Sequence, residues 1–293
     1  MKAVLELKNV SKFMNNKALV DDITFTVNEG EIFGFLGPNG AGKTTLMRTI
    51  TTLLPIEEGS ITYNDIKWQN GDEVRKIIGY LPQHFSIYKN LKVYEALEHM
   101  AILKNVDNAK EEVSSVLNKV NLYSDKNKKI KQLSGGMLRR VGIAQAILGN
   151  PKILVVDEPT AGLDPENRIK FRNLLRDISK DMIIIISTHI VEDIENTCNE
   201  IGILKKGSLL FSGNVIDFLE KAKGHIYEVD VNREEFNDIS SRVRIISSKT
   251  FIDGYNIRFL IKNENEFIPK NAKVVSPSLE DAYLYVAGRD ANE

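Results

Sequence analysis

The run Gly37-Pro38-Asn39-Gly40-Ala41-Gly42-Lys43-Thr44 fits the pattern GxxxxGK[ST]. Residue types at that spacing suit one chemistry, the holding of a polyphosphate. Glycine lacks a β-carbon, so it accepts the backbone angles that aim successive N–H groups at one anion. A helix starting there adds the positive end of its dipole. Lys43 then reaches the β- and γ-phosphates as a point charge, the Thr44 hydroxyl suits Mg²⁺, and Thr45 adds an α-phosphate contact. A second chemical pair, Asp157-Glu158, ends the apolar run Ile153–Val156. Phosphoryl transfer needs positioning and charge compensation more than covalent chemistry. Asp157 is therefore expected to hold Mg²⁺ through water, and Glu158 to orient or deprotonate the attacking water. Alone, two acids before Pro159 would merely start a turn; the phosphate loop is what favours the chemical role. Third, Ser134-Gly135-Gly136 opens a helical pattern, so its N–H groups form an anion site distinct from the loop that carries Lys43.

These residues need a frame. The segments VLELKNV and ITFTV alternate apolar and polar positions, as half-buried antiparallel strands do. IFGFLG reads as a buried strand feeding a turn, and TTLMRTITTLL carries apolar residues at helical spacing, so Ile32 to Leu54 is strand, loop, helix. ILVV at 153–156 and IIII at 183–186 are near-continuous β-branched runs, the mark of parallel strands buried on both faces. From about His84 to Gly149 helical stretches replace strands, at Val93–Leu103, Ala109–Val120 and Met137–Leu148. Beyond about Gly224 the pattern changes again: IYEVDV alternates, REEFNDISSR is helical, and VRIISSKTF and YNIRFLIK flank the hairpin dipeptide Asp253-Gly254. A last helix starts at Ser278, with Asp281 closing a capping box before AYLYV. The expected organisation is a main α/β domain over 1–220, with a helical insertion at about 84–149, and a small α+β domain over 224–293.

Composition narrows the class. With 293 residues, 42% hydrophobic and 27% charged, the chain can bury a sizeable core and lies outside the disordered and fibrous classes. Lys+Arg 39 against Asp+Glu 40 leaves a net charge of -1, which gives no reason to expect a nucleic-acid partner. The longest unbroken apolar run, Ala282–Ala287, is far below the ~20 residues of a membrane-spanning helix, so no direct membrane insertion is expected. The N-terminal segment lacks the apolar core of a secretory signal, and the single Cys198 cannot form an internal disulfide, so the expected compartment is the cytoplasm. His84, His99, His225, Trp68 and Cys198 fall in no partner pattern and are read as structural or surface residues.

Gln132-Leu133-Ser134-Gly135-Gly136-Met137, taken with the loop and the acids, resembles the signature motif of the ABC ATPase family, which more often has glutamine where Met137 stands. The resemblance extends in the family's order over about residues 1–215: Gln83 in YLPQ stands at its Q-loop, Asp164 in AGLDP at its D-loop and His189 in STH at its switch. It implies a P-loop NTPase fold with an antiparallel β subdomain, a central mostly parallel sheet and a helical insertion. It also implies hydrolysis of ATP with Mg²⁺ in a head-to-tail dimer, a second copy or a related ATPase subunit supplying Ser134 to Gly136 opposite Lys43. Gln83 would touch Mg²⁺ or its water and signal to a membrane permease, His189 would meet the γ-phosphate, and Asp164 would link the two sites. The family usually stacks adenine on an aromatic residue after the first strand; Met14 falls there, with Phe13 beside it, and either side chain could cover the base. GEIFGFLGPNGAGKTTLMR and PSLEDAYLYV look like exporter-type cassettes, and the segment Phe85–Leu97 is expected to dock the permease. Such a subunit would sit at the cytoplasmic face of the membrane. The alternatives are a non-transport member acting on ribosomes or DNA, which usually carries two cassettes, long coiled coils or zinc clusters, and a metabolic kinase, which would leave LSGGM unexplained.

Overall fold

Alternating burial gives the first strands one core face each. The computed structural model describes residues 4–15, 17–64, 66–68, 71–263 and 265–288. Strands β1 (Val4–Met14) and β2 (Lys17–Asn28) pair antiparallel, with Leu5 opposite Val27 and Leu7 opposite Phe25, all four buried. Then come β3 (Ile32–Leu36), α1 (Lys43–Ile50), β4 (Glu58–Tyr63), β5 (Ile66–Lys67), α2 (Gly71–Ile77) and β6 (Ile78–Leu81). Three helices follow, α3 (Val93–Leu103), α4 (Ala109–Lys119) and α5 (Gly135–Ile147). The chain returns through β7 (Ile153–Asp157), α6 (Pro165–Ser179), β8 (Ile183–Thr188), α7 (Val191–Glu195), β9 (Glu200–Lys205) and β10 (Ser208–Asn214). It ends with α8 (Val215–Glu220), β11 (Ile226–Asn232), α9 (Glu235–Arg242), β12 (Arg244–Thr250), β13 (Gly254–Leu260), β14 (Lys273–Val274) and α10 (Leu279–Ala287).

Contacts divide the chain into two compact units, Met1–Ser212 and Gly213–Glu293. The first holds an antiparallel sheet in the order β2-β1-β4-β5 and a six-stranded sheet in the order β10-β9-β3-β8-β7-β6. In the latter β3 runs parallel to β8 and β9, and β7 runs parallel to β6 and β8. Every residue of β3, β7 and β8 is buried, which is why these strands read as unbroken apolar runs. Phe25 of β2 stacks on Phe33 of β3 with ring centroids 4.7 Å apart, joining the two sheets in one core. Burying each such ring contributes roughly 1.5–3 kcal/mol.

Helix α1 stops at Ile50, short of the expected Leu54. Thr52 turns left-handed at φ 60°, and the amides of Leu53 and Leu54 both bond the Arg48 carbonyl, closing the last turn. The elements β4 to β6, α6 and β9 to β10 are also present; their apolar residues are too short or too mixed in pattern to stand out in the sequence.

The second unit is a sheet in the order β12-β13-β11-β14, cored by Val229, Val231, Ile257, Phe259 and Ile261. Asp253-Gly254 does lie at its hairpin, yet Gly254 is paired with Asn232 inside the sheet, and Thr250 faces Tyr255. Glycine stands there because a β-carbon would meet the Val231 carbonyl oxygen at 2.2 Å, not because the turn needs a left-handed residue. The Ser278 capping box forms, Ser278 Oγ accepting from the Asp281 amide at 3.2 Å and Asp281 Oδ2 accepting from the Ser278 amide at 2.6 Å. Arg258 of β13 fastens this helix start: its guanidinium donates to Asp281 Oδ2 at 2.5 Å, Glu228 Oε1 at 2.6 Å and the Ser276 carbonyl at 2.8 Å.

Burial opposes ionisation of Asp281, but the bonds from Arg258 and Ser278 outweigh it and hold its carboxyl below the ordinary value. A carboxyl with a depressed folded pKa stabilises the native state above its unfolded value of about 3.9, and that stability is lost as pH falls through the folded value. Arg258→Met is expected to destabilise the second unit by about 3 kcal/mol, the low end for removing one partner of a buried ion pair because Arg258 keeps some solvent contact. Amide hydrogen exchange of β13 and α10 checks this, and wild-type protection in the variant would contradict it.

Candidate active site

The phosphate loop joins β3 to α1, with Gly42 as the residue before the first helical turn. Gly42 takes φ 103°, and a β-carbon there would meet the Leu19 carbonyl oxygen at 2.5 Å, so glycine is required on both counts. Asn39, Gly40, Ala41, Gly42, Lys43, Thr44 and Thr45 border a cavity of about 460 Å³, together with Gln83 and Glu158. Gly37 and Pro38 serve it from behind: their carbonyls accept from Lys43 Nζ at 2.7 and 3.1 Å. Burial lowers the Lys43 pKa, and the charges of Glu158 and Asp157 oppose that shift.

The acids sit where β7 ends. Asp157 pairs with Ser187 of β8 in the parallel ladder, and Asp157 Oδ1 accepts from the Ser187 hydroxyl. Its other oxygen, Oδ2, is buried and meets no hydrogen-bond partner among the described residues. Glu158 adopts a left-handed φ of 48° while its amide donates to the Ser187 carbonyl at 2.9 Å. A bulky residue in that conformation is uncommon and costs of order 1–3 kcal/mol. The turn aims the side chain back into the cavity: Glu158 Oε2 lies 2.8 Å from His189 Nδ1, and Oε1 lies 3.6 Å from Lys43 Nζ. Lys43, Glu158 and His189, spread over the sequence, therefore form one chain of contacts.

The other candidates lie apart. Ser134 caps α5, its Oγ accepting from the Met137 amide at 3.3 Å, and Ser134 and Gly135 are exposed rather than turned to the Lys43 cavity. Gly136 is buried, and a β-carbon on it would meet Asn167 Oδ1 at 2.6 Å. Asp164 caps α6, bonded to the Asn167 amide at 3.0 Å and to Asn167 Nδ2 at 2.6 Å, and these bonds lower its pKa. Gln83 borders both the Lys43 cavity and a second one of about 340 Å³ lined in part by Gly135, Arg139 and Leu163.

Phe13 and Met14 do not border the Lys43 cavity. Phe13 is half-buried opposite Ala18, and Met14, opposite Lys17, is largely exposed. The cavity wall on that side comes from Lys17, Ala18 and Leu19, with Lys206 and Gly207 beyond them. Sequence reasoning missed these five residues. The signal available was their place across the hairpin from Phe13 and Met14; what brings in Gly207 is a pair of bonds, its amide to the Ala41 carbonyl and the Asp21 amide to its own carbonyl.

Comparison with known proteins agrees with this geometry. Residues 20–161 match the family model described as ABC transporter. An uncharacterized ABC transporter ATP-binding protein, YhcH of Bacillus subtilis, is 34% identical over 100% of this chain and 99% of its own. The Nod factor export ATP-binding protein I of Rhizobium etli is 30% identical over 98% of this chain and 94% of its own. Among solved structures, CbiO1 of Clostridium perfringens, part of the ABC transporter complex CbiONQ, is 27% identical, covers 75% of this chain and 92% of its own, and superposes with a TM-score of 0.69. With Lys43 and the strand-end acids gathered on such a cassette, and relatives matched nearly end to end, the chain belongs to the ATP-binding ATPases of ABC transporters.

Proposed function

We propose that the chain hydrolyses MgATP at a head-to-tail interface between two cassettes and thereby powers a separate membrane permease, in the export direction. The observation that carries the catalytic part is Glu158, buried between Lys43 and His189 at the end of β7. Glu158 acts as the base or orienting group for water, His189 holds it and meets the γ-phosphate, and Lys43 compensates the β/γ charge. The donor set fits Mg²⁺: Thr44 and Gln83 border the Lys43 cavity, and Asp157, next to the cavity residue Glu158, keeps a buried Oδ2 without a hydrogen-bond partner among the described residues. When bound there, the ion would neutralise charge on the phosphates.

The dimer is supported by the separation of the two anion sites, since Ser134 to Gly136 stand outside the Lys43 cavity of their own chain. Asp164, on the loop after Glu158, is suited to link the two sites, and Gln83 to connect the nucleotide to the permease. The adenine is met by the Lys17 to Leu19 wall, with Phe13 and Met14 of β1 beside it across the hairpin. The export direction draws support from the Rhizobium etli relative, named for Nod factor export. No helix among the described residues is long and apolar enough to cross a membrane; the place proposed for the chain is peripheral, on the cytoplasmic face, held by the permease. A docking surface is supported at Tyr88, 68% exposed beside His99. The ATPase domain is the unit Met1–Ser212, with 84–149 as its helical part, and the accessory domain is the unit Gly213–Glu293, which takes in α8 and so starts ahead of the expected boundary at 220–224; its loss is expected to impair dimer lifetime or regulation.

Lys43→Ala is expected to weaken MgATP binding strongly, since it removes the mobile cation while leaving the backbone cradle, as titration with a fluorescent ATP analogue would read. Glu158→Gln is expected to slow phosphate release by about 10²–10⁴-fold with nucleotide binding spared. Light scattering of that variant should give a dimer mass with MgATP and a monomer mass without it, because a ligand bound more tightly by the dimer than by the lone chain shifts association by mass action. Full hydrolysis by the Gln variant would remove Glu158 from the role of base. Tyr88→Glu should prevent a membrane protein from co-purifying while ATP binding survives; co-purification with ribosomes or DNA in place of a membrane protein would favour the non-transport alternative.

A further inference from the structure

A polar cluster behind the catalytic acids belongs to none of the roles above. Thr160, two residues after Glu158, donates its hydroxyl proton to Asp193 Oδ2 on α7, the short helix that follows His189. Both residues are almost fully buried, at 2% and 1% exposure. Arg172 of α6 completes the cluster, its Nη1 lying 3.5 Å from Asp193 Oδ1 and 3.1 Å from Glu192 Oε1. The Thr160 carbonyl accepts from the Leu163 amide at 3.0 Å, and the Leu163 carbonyl accepts from Arg168 Nε at 3.0 Å, so the loop up to Asp164 is tied to Thr160 at one end and to α6 at the other. Asp193 Oδ1 has the Arg172 charge beside it but no hydrogen-bond partner among the described residues, so the Thr160 hydroxyl is the one side-chain hydrogen bond described for this buried carboxyl, and removing it leaves the group costly to bury.

The connections have a direction. Helix α7 has five residues, too few to be stable by itself, and depends on what it is fastened to. The Asp193 amide bonds the Ile190 carbonyl, so fixing Asp193 fixes the turn immediately after His189. His189 in turn holds Glu158 at 2.8 Å. Thr160 and Asp193 therefore close a ring through Glu158, His189 and α7, while the phosphate loop stands on other elements, β3 and α1.

We propose that Thr160 and Asp193, steadied by Arg172, are positioning residues that move the Asp164 loop and the His189 turn as one body and so hold the Glu158 carboxylate in its working geometry. This rests on the reading of Glu158 as the group that activates water. The latch touches neither nucleotide nor the reacting atoms, so it governs turnover and leaves binding alone. Misplacing a catalytic group by about 1 Å from a remote change costs on the order of 10²-fold.

The test is steady-state phosphate release by the full chain, with MgATP affinity and thermal unfolding measured alongside. Thr160→Val keeps the shape and removes the donor; it is expected to lower kcat by roughly 10- to 100-fold with nucleotide Kd within about twofold of wild type. Thr160→Ser restores the donor and should recover most of kcat, which a packing role would not require. Asp193→Ala, which removes the acceptor, is the second variant and carries the same expectation should the Val variant fail to fold. The Val/Ala double variant should lose no more than the worse single variant, since both act through one latch. Wild-type kcat in either folded single variant, losses that multiply in the double, or a kcat loss matched by an equal loss of affinity would each overturn the latch. Because Glu158→Gln is run in parallel, a failure of the water-activating role appears as full activity in that variant, and a failure of the latch appears only in the Thr160 and Asp193 variants.

Discussion

Three charges placed almost out of reach of water govern this site. Lys43, Asp157 and Glu158 are at most 6% exposed, and each unpaired charge so buried would cost several kcal/mol. The compensation is mutual and local. Lys43 lies against Glu158 and two loop carbonyls, Glu158 against His189, and Asp157 against the Ser187 hydroxyl. Asp157 Oδ2 is left over, a buried acceptor whose satisfaction requires something beyond these side chains. The low dielectric that makes the arrangement expensive also strengthens any interaction made inside it.

Parallel strands explain how the charges come together. In an open sheet of this kind, loops at the carboxyl ends of neighbouring strands converge on one edge. β3 delivers the phosphate loop there, β7 delivers Asp157 and Glu158, and β8 delivers Ser187 and leads to His189. Register fixes the details, because Asp157 sits opposite Ser187 and Leu36 opposite Thr188. A slip in the β7–β8 ladder would separate the carboxylate from its hydroxyl donor, and one in the β3–β8 ladder would shift the start of the phosphate loop against the strand that leads to His189. The left-handed turn at Glu158 is the local strain this convergence carries, held by the Glu158 amide bond to the Ser187 carbonyl.

What could be read from the sequence follows the range of the interactions. β3, β7 and β8 were legible because strands buried on both faces have no polar alternation to confuse. The phosphate loop and the Ser278 box were legible because each is completed within a few residues, by local amides and glycines. The helices at Val93–Leu103 and near Ala109 and Met137 showed through their 3.6-residue period. The Lys17 to Leu19 wall did not, because it depends on the Phe13–Ala18 pairing and on bonds from Gly207 to distant residues. Thr160 and Asp193 likewise stand 33 positions apart, and nothing in either local pattern joins them. Asp253-Gly254 shows the converse: the dipeptide signals a hairpin correctly, while the need for glycine comes from the Val231 carbonyl on another strand.

Two helix starts on one chain, aimed at different places, set the energetics of any closed assembly. α1 begins at the Lys43 cavity, whereas α5 begins at Ser134 outside it. Side-chain caps at Ser134 and Asp164 engage the amides of Met137 and Asn167, which leaves the earlier N–H groups of α5 at Gly135 and Gly136 directed past the cap. A nucleotide in the Lys43 cavity of a lone chain therefore meets one helix dipole, and meets a second only if another chain supplies it. In the proposed dimer, binding and closure are then separable free energies: the phosphate loop sets the first, and the second grows with nucleotide concentration and vanishes when the γ-phosphate no longer bridges the two helix starts. Hydrolysis would remove that bridge from within, so in the proposed dimer the same buried carboxylate that is assigned to activate water would also end the interaction that holds the assembly closed.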